Sequence, residues 1–345
     1  MLILNANPNA DALHPEAIYR LAVDSNGDLR NDIAFSFVFS EPVDGRQTVD
    51  VFKAVGDEAE SPLPLGEKIF EAVEVSFGPT ANVVQSDGYT FAAGARSDAF
   101  FFDFDGIKNL FDITGGRNFT APHLGGESPW TGGGLQPHGQ RVLDRHRAAD
   151  RRTGRRSRHP DLGGRCSLNR DGELLHVDRA GHPSVSSFFN TDDTKEEYNA
   201  SEPIHDRERW IGQFIHLMGH TGGYTDDEAI EAIDTEGTLP DMLTFNPSKP
   251  AKYPNGRTFK DDVIDYRLAF LTKGDCPPSG LAPPHTDTLD VFPYLAIRTR
   301  RVRSRSTTGW RHPAPCGRDR RTAAARRRRS WPRPVRHRIP VNAAA

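Results

Sequence analysis

Arginine is concentrated in two segments of this chain in a way that limits what can fold. Residues 298–338 hold 16 Arg, no Lys and one acid, Asp319, while residues 141–165 hold 9 Arg, no Lys and three acids, Asp144, Asp150 and Asp161. Long stretches rich in one charge stay solvated and do not form a core. The remaining residues carry 19 basic and 43 acidic side chains, a balance of about −24 hidden inside the whole-chain value of −3. The expected organisation is one β-rich domain over residues 1–295, with 135–165 disordered or mispacked, and an Arg-rich disordered tail over 296–345.

Two origins fit such segments. A basic arm that neutralises nucleic-acid phosphates is one, but basic arms usually mix Lys with Arg. Arg, Pro, Ala, Gly and His dominate here, the residues with GC-heavy codons, and this points instead to translation in a shifted frame. Back-translating Gln140 to Ala149 and reading one base later permits NVFSIVIELP, an apolar string with strand character. Sequencing the gene is the direct test.

With 36% hydrophobic residues and no apolar run near the roughly 18 to 20 residues of a spanning helix, no membrane span is expected. The start, Met1-Leu2-Ile3-Leu4-Asn5, lacks the layout of a signal peptide, so the chain as written reads as cytoplasmic. Of the three cysteines, Cys316 lies in the tail and Cys166 at the frame junction. Cys276 remains, and one thiol builds no disulfide framework.

Residues 17–56 read as a meander. Ile33, Phe35, Phe37 and Phe39 alternate with Ala34, Ser36 and Val38, the pattern of a strand with one face in a core, and Gln47 to Val55 follows an Asp44-Gly45 turn. Residues 94–105, with Phe100-Phe101-Phe102, read as a strand covered on both faces. Helices are expected from Asp206 to Met218, where Trp210, Phe214, Leu217 and Met218 share a face, from Thr225 to Ile233 and from Asp261 to Leu271. Thr225 and Glu228 have the spacing of a capping box. The fold class is mixed α+β, a single antiparallel, sandwich-like β domain with helical insertions.

Asp24-x-Asn26-x-Asp28-x-x-x-Asp32 places oxygen side chains at positions one, three, five and nine of a loop, as a hard cation such as Ca²⁺ wants. The EF-hand pattern is incomplete, with Leu29 at position six and Phe35 at position twelve. An ordinary Asx-rich turn is the competing reading. Arg96, Asp98, Asp103 and Asp105 form a second cluster around the Phe run, suited to a shared cation or to salt bridges. His216 and His220 have the i, i+4 spacing of helical zinc ligands but lack the Glu of a metalloprotease motif. His205, Asp206 and Glu202 offer a base and an orienting acid without a nucleophile in a recognisable setting. Gly115-Gly116 and Gly132-Gly133-Gly134 lack the strand and helix that flank a phosphate loop.

Several stretches together resemble the uncharacterised bacterial family catalogued as domain of unknown function 4331. They are Val23 to Asp28 through Asp32-Ile33-Ala34-Phe35; Gly94-x-Arg96-x-Asp98 with Phe100 to Asp103; and Val177-Asp178-Arg179-x-Gly181-x-Pro183 with Phe189-Asn190. Tyr253-Pro254-Asn255-Gly256-Arg257, Asp261-Asp262-Val263-x-Asp265 and Phe292-Pro293-Tyr294-Leu295 complete the set, which spans residues 5 to 295 in order. The resemblance implies that the chain starts inside a longer first strand, that its first Arg-rich segment stands where the family has a strand like NVxxIVxELP, and that the family's domain ends near Leu295. It supplies no reaction.

The function classes left open are a non-enzymatic, acidic, β-rich binding or structural protein stabilised by Ca²⁺; a metal-assisted hydrolase using the Asp24 loop or the Asp98–Asp105 cluster; and, disfavoured, nucleic-acid binding through the Arg-rich segments. The first is the expectation. Its partner, an unknown ligand or protein, would be a cation or a basic molecule.

Overall fold

Alternation of apolar and polar residues builds the first half of the molecule. In a computed structural model of the chain, β1 (Ala17–Asp24), β2 (Ile33–Phe39), β3 (Thr48–Val55) and β4 (Glu67–Glu74) form the antiparallel meander. The structure describes residues 1–4, 12–97, 100–132, 161–170, 173–190, 194–282 and 288–296, with backbone alone for 161–170, 173 and 175. These residues all fall within one unit, Met1–Thr299, while the second unit, Arg300–Ala345, lies outside them.

Register places one face of each strand in a common core. Tyr19 pairs with Phe37 and Leu21 with Phe35 across β1 and β2, and Phe37 meets Val51 of β3. These residues are buried with Phe39, Val49 and Phe70. A two-stranded ribbon, β5 (Val84–Ser86) and β6 (Tyr89–Phe91), covers them. Its Phe91 stacks on Phe37 at 5.9 Å and lies 5.4 Å from Phe70. Each such ring contributes roughly 1.5–3 kcal/mol by leaving water. On the opposite face Ala34 and Ala54 pack on Ala59 of α1 (Asp57–Glu60). There Arg20 donates to the carbonyls of Ala59 and Ser61, which satisfies the end of that short helix.

The sheet continues on the other side of β1 through β7 (Asp161–Arg170) and β8 (Glu173–Ala180), in the order β4-β3-β2-β1-β7-β8, with β9 (Leu243–Thr244) on the start of β7. The first five residues of β7 come from the 141–165 segment, and their backbone pairs with β1. Residues 133–160 and 297–345 lie outside the described residues. At the far edge β4 exposes Glu67, Glu71 and Glu74, a charged border that discourages pairing with another chain.

The second half is helical: α2 (Phe104–Thr114), α3 (Val185–Phe188), α4 (Lys195–Ala200), α5 (Asp206–Gly222), α6 (Asp226–Glu236) and α7 (Val263–Leu271). α5 buries Trp210, Phe214 and Met218, the face its spacing predicts. α6 starts with the predicted capping box, the Thr225 amide donating to Glu228 Oε2 at 2.8 Å and the Glu228 amide to Thr225 Oγ1 at 3.3 Å. α7 is held at its start by Asp262, whose carboxylate accepts from the amides of Ile264 and Asp265. The fold is mixed α+β, as expected, and among the described residues no helix is long and apolar enough to cross a membrane.

One expected element is corrected. Phe100 to Phe102 do not form a strand; Phe101 and Phe102 are buried in irregular backbone, and the chain turns into α2 two residues later. Asp103 decides this, because its carboxylate caps the helix through the Gly106 amide, and Leu110 then falls on the buried face.

Candidate functional site

The Asp24 loop is assembled around its own amides. Asp24, fully buried, accepts from the backbone N–H of Asn26 (3.0 Å), Gly27 (2.7 Å) and Leu29 (2.8 Å). Asp32 accepts from the Ser25 amide (2.7 Å), the Ser25 hydroxyl (2.5 Å) and the Asn26 side chain (3.2 Å). Asn26 and Asp28 accept in turn from the amides of Asp28 and Arg30, both at 2.9 Å. Gly27, at φ +85°, supplies the left-handed turn the loop needs. The four predicted side chains therefore share one loop; Asp24, Asn26 and Asp28 serve as Asx-type turn acceptors, and Asp32 ties the loop's end back to Ser25 and Asn26. Among the described residues no three His, Cys, Asp or Glu side chains are gathered as a metal ion's ligands would be.

The second predicted cluster is dispersed. Arg96 donates to the carbonyls of Gly78 and Ala95 and to Ser76 Oγ, which ties it to the segment after β4. Asp103 is buried and, besides capping α2, accepts from the amides of Thr131 (2.6 Å) and Gly132 (3.1 Å) and from the Thr131 hydroxyl (2.8 Å). Asp105 stands on the surface of α2 beside Lys108. Asp98 lies outside the described residues.

The histidine readings separate likewise. His216 and His220 do sit one turn apart on α5, both exposed, with ring centroids 4.4 Å apart. His205 is exposed at the start of α5, whereas Asp206 is buried and turned to another partner. Cys276 is a buried free thiol that burial, with Asp265 nearby, pushes up to about 12, far from a reactive thiolate.

That other partner of Asp206 opens a buried polar network, which alternation and local motifs do not announce. Arg179, at the end of β8, donates through Nη2 to both Asp206 oxygens at 2.6 Å and through Nη1 to the Ser201 carbonyl at 3.0 Å. Its guanidinium stacks 4.1 Å from the Tyr198 ring. Burial works against both charges and raises the Asp206 carboxyl. The carboxylates of Asp241 and Asp206 nonetheless hold Arg179 above its ordinary value, and the short contacts make this an ion pair. Asp206 also accepts from the Asp241 amide at 2.9 Å. Asp241 in turn accepts from the His182 amide (2.6 Å) and the Tyr198 hydroxyl (2.7 Å).

From His182 the network continues to α7. Its Nε2 lies 3.0 Å from the Gly237 carbonyl, which can only accept, so Nε2 carries the proton and Nδ1 accepts from the Tyr253 hydroxyl at 3.1 Å. Tyr253 accepts from Arg267 Nη2 at 2.8 Å. Burial pulls the imidazole down to about 4, so it is neutral near pH 7. The chain can make this approach only with glycine at 181, because a Cβ there would lie 2.0 Å from the Asp241 carbonyl oxygen. Arg179, Gly181 and Tyr253 thus hold β8, α5, α7 and the 237–242 loop together.

Compared with known proteins, the chain matches no family model, no curated protein and no solved structure.

Proposed function

We propose that this chain is a non-enzymatic, acidic, β-rich binding or structural protein, built on a sandwich-like domain akin to domain of unknown function 4331. The observation that carries the reading is the commitment of its chemistry-bearing groups. Asp24, Asp32, Asp103, Asp206 and Asp241 spend their carboxylates on backbone amides or on Arg179, and His182 has both ring nitrogens bonded inside the fold. A general base must meet a substrate proton, and these groups are already engaged inside the fold. What stays outside is a surface with a large excess of acids, whose partner is cationic: a basic protein or Ca²⁺. The two Arg-rich segments, on this reading, come from a shifted frame.

The test uses the full chain. Fluorescence anisotropy with labelled oligolysine and with a labelled duplex DNA, over a sodium chloride series, should give saturable binding of oligolysine. Binding of the duplex alone, with a steep salt slope, overturns the reading in favour of the Arg-rich segments. Calorimetric titration with Ca²⁺ checks the cation separately, a flat trace removing Ca²⁺ from the proposal.

A further inference from the structure

We propose that Arg267 anchors a buried site for a small oxyanion, a carboxylate or a phosphate. This site goes beyond the binding role above and does not depend on it. Arg267, on α7, is 1% exposed, among the largest fully buried side chains of the described residues. Its Nη2 donates to Tyr253, but Nε and Nη1 have no partner, which leaves three of the five guanidinium N–H donors unmet. No carboxylate among the described residues lies within ion-pair distance of it.

The contrast with Arg179 shows what is missing. That equally buried arginine is neutralised by Asp206 at 2.6 Å. An isolated buried charge costs several kcal/mol unless it is paired. The faces of Phe270 and Phe189, at 5.2 and 5.7 Å from the Arg267 guanidinium carbon, compensate a cation only in part.

A second, independent observation lies next to Phe189. Both amide atoms of Asn190 are buried and without a partner. Of the other unmet buried atoms, Arg20 Nε, Arg179 Nε and Asn199 Oδ1 sit on side chains that are otherwise bonded, and Trp210 Nε1 is a lone indole donor. A guanidinium short of acceptors, facing the ring of Phe189, and on the very next residue an amide short of both an acceptor and a donor, suit an oxyanion that also carries a hydroxyl. Singly protonated phosphate and hydroxycarboxylates have that chemistry.

The full chain, freed of buffer anions, is titrated by calorimetry with sodium phosphate and with sodium lactate at an ionic strength matched by sodium chloride, and melted under the same conditions. Saturable binding of at least one, with a raised melting temperature that chloride does not produce, is expected. Phosphate alone or lactate alone names the source of the oxyanion. Arg267→Lys keeps the charge but loses the planar fork and should bind about 30-fold more weakly or worse, and Asn190→Leu should weaken binding too. No saturable binding of either anion by the wild-type chain overturns the proposal whatever the variants do. Equal binding by Arg267→Met also overturns it.

Discussion

In the sheet half, over residues 17–93, the interior is made of rings and branched aliphatic side chains set on one face by strand alternation, and partners lie across neighbouring strands. In the helical half the interior is threaded by ions and hydrogen bonds whose partners are far apart in the chain: Arg179 with Asp206, His182 with Tyr253, Tyr198 with Asp241. The first arrangement tolerates change as long as volume is conserved. The second depends on each member, because removing one leaves another buried and unmet. Stability in the two halves therefore has different failure modes, and experiments can separate them.

The largest effects should come from opposite ends of that contrast. Asp206→Ala strands Arg179 and should destabilise the fold by about 3–5 kcal/mol, much of it recovered when Arg179→Met is added. Phe37→Ala empties the space against Phe91 and should cost a similar ~3–5 kcal/mol, with no rescue from a second change in the helical half. Urea denaturation of the single and double variants makes the comparison, and additivity between Asp206→Ala and Arg179→Met would break it.

Acid should act on the helical half. The folded pKa of His182, about 4, is depressed below the ordinary value of 6.5, so the unfolded chain takes up the proton first as pH falls. The contribution is fully present above about pH 6.5 and declines as pH falls towards 4, by up to about 3 kcal/mol. Denaturation midpoints between pH 7 and 4.5 should show this loss, and His182→Asn should flatten that part of the profile. The smaller effects lie on the surface. Thr225→Ala removes the cap of α6 and should cost about 1 kcal/mol in a thermal melt. Asp105→Ala, beside an exposed Lys108, should stay within about 0.5 kcal/mol of wild type.

The same contrast explains how much the residues announced in advance. Ile33 to Phe39 can be read as a strand because alternation is a local signal, and Thr225 with Glu228 as a cap because both ends lie within four residues. The triple Phe misleads because its apolar character fits any buried backbone, and the deciding residue is the polar Asp103 after it. Of the predicted site residues, Asp24, Asn26, Asp28 and Asp32 do share one loop, while Arg96, Asp103 and Asp105 serve three separate local jobs. Nothing local marks Arg179, Asp241, His182 or Arg267 as partners, since they meet only when β8, α5 and α7 pack.

The position of β1 has a consequence for the order of events during synthesis. Its neighbour β2 follows within ten residues, but the strand on its other side, β7, begins at Asp161 and ends at Arg170. At about 5–20 residues per second, a ribosome takes roughly 7–30 s to make that distance. For that time the nascent meander presents the free backbone of β1 in the middle of its finished sheet. Unlike β4, that edge has no row of glutamates to discourage pairing with another chain.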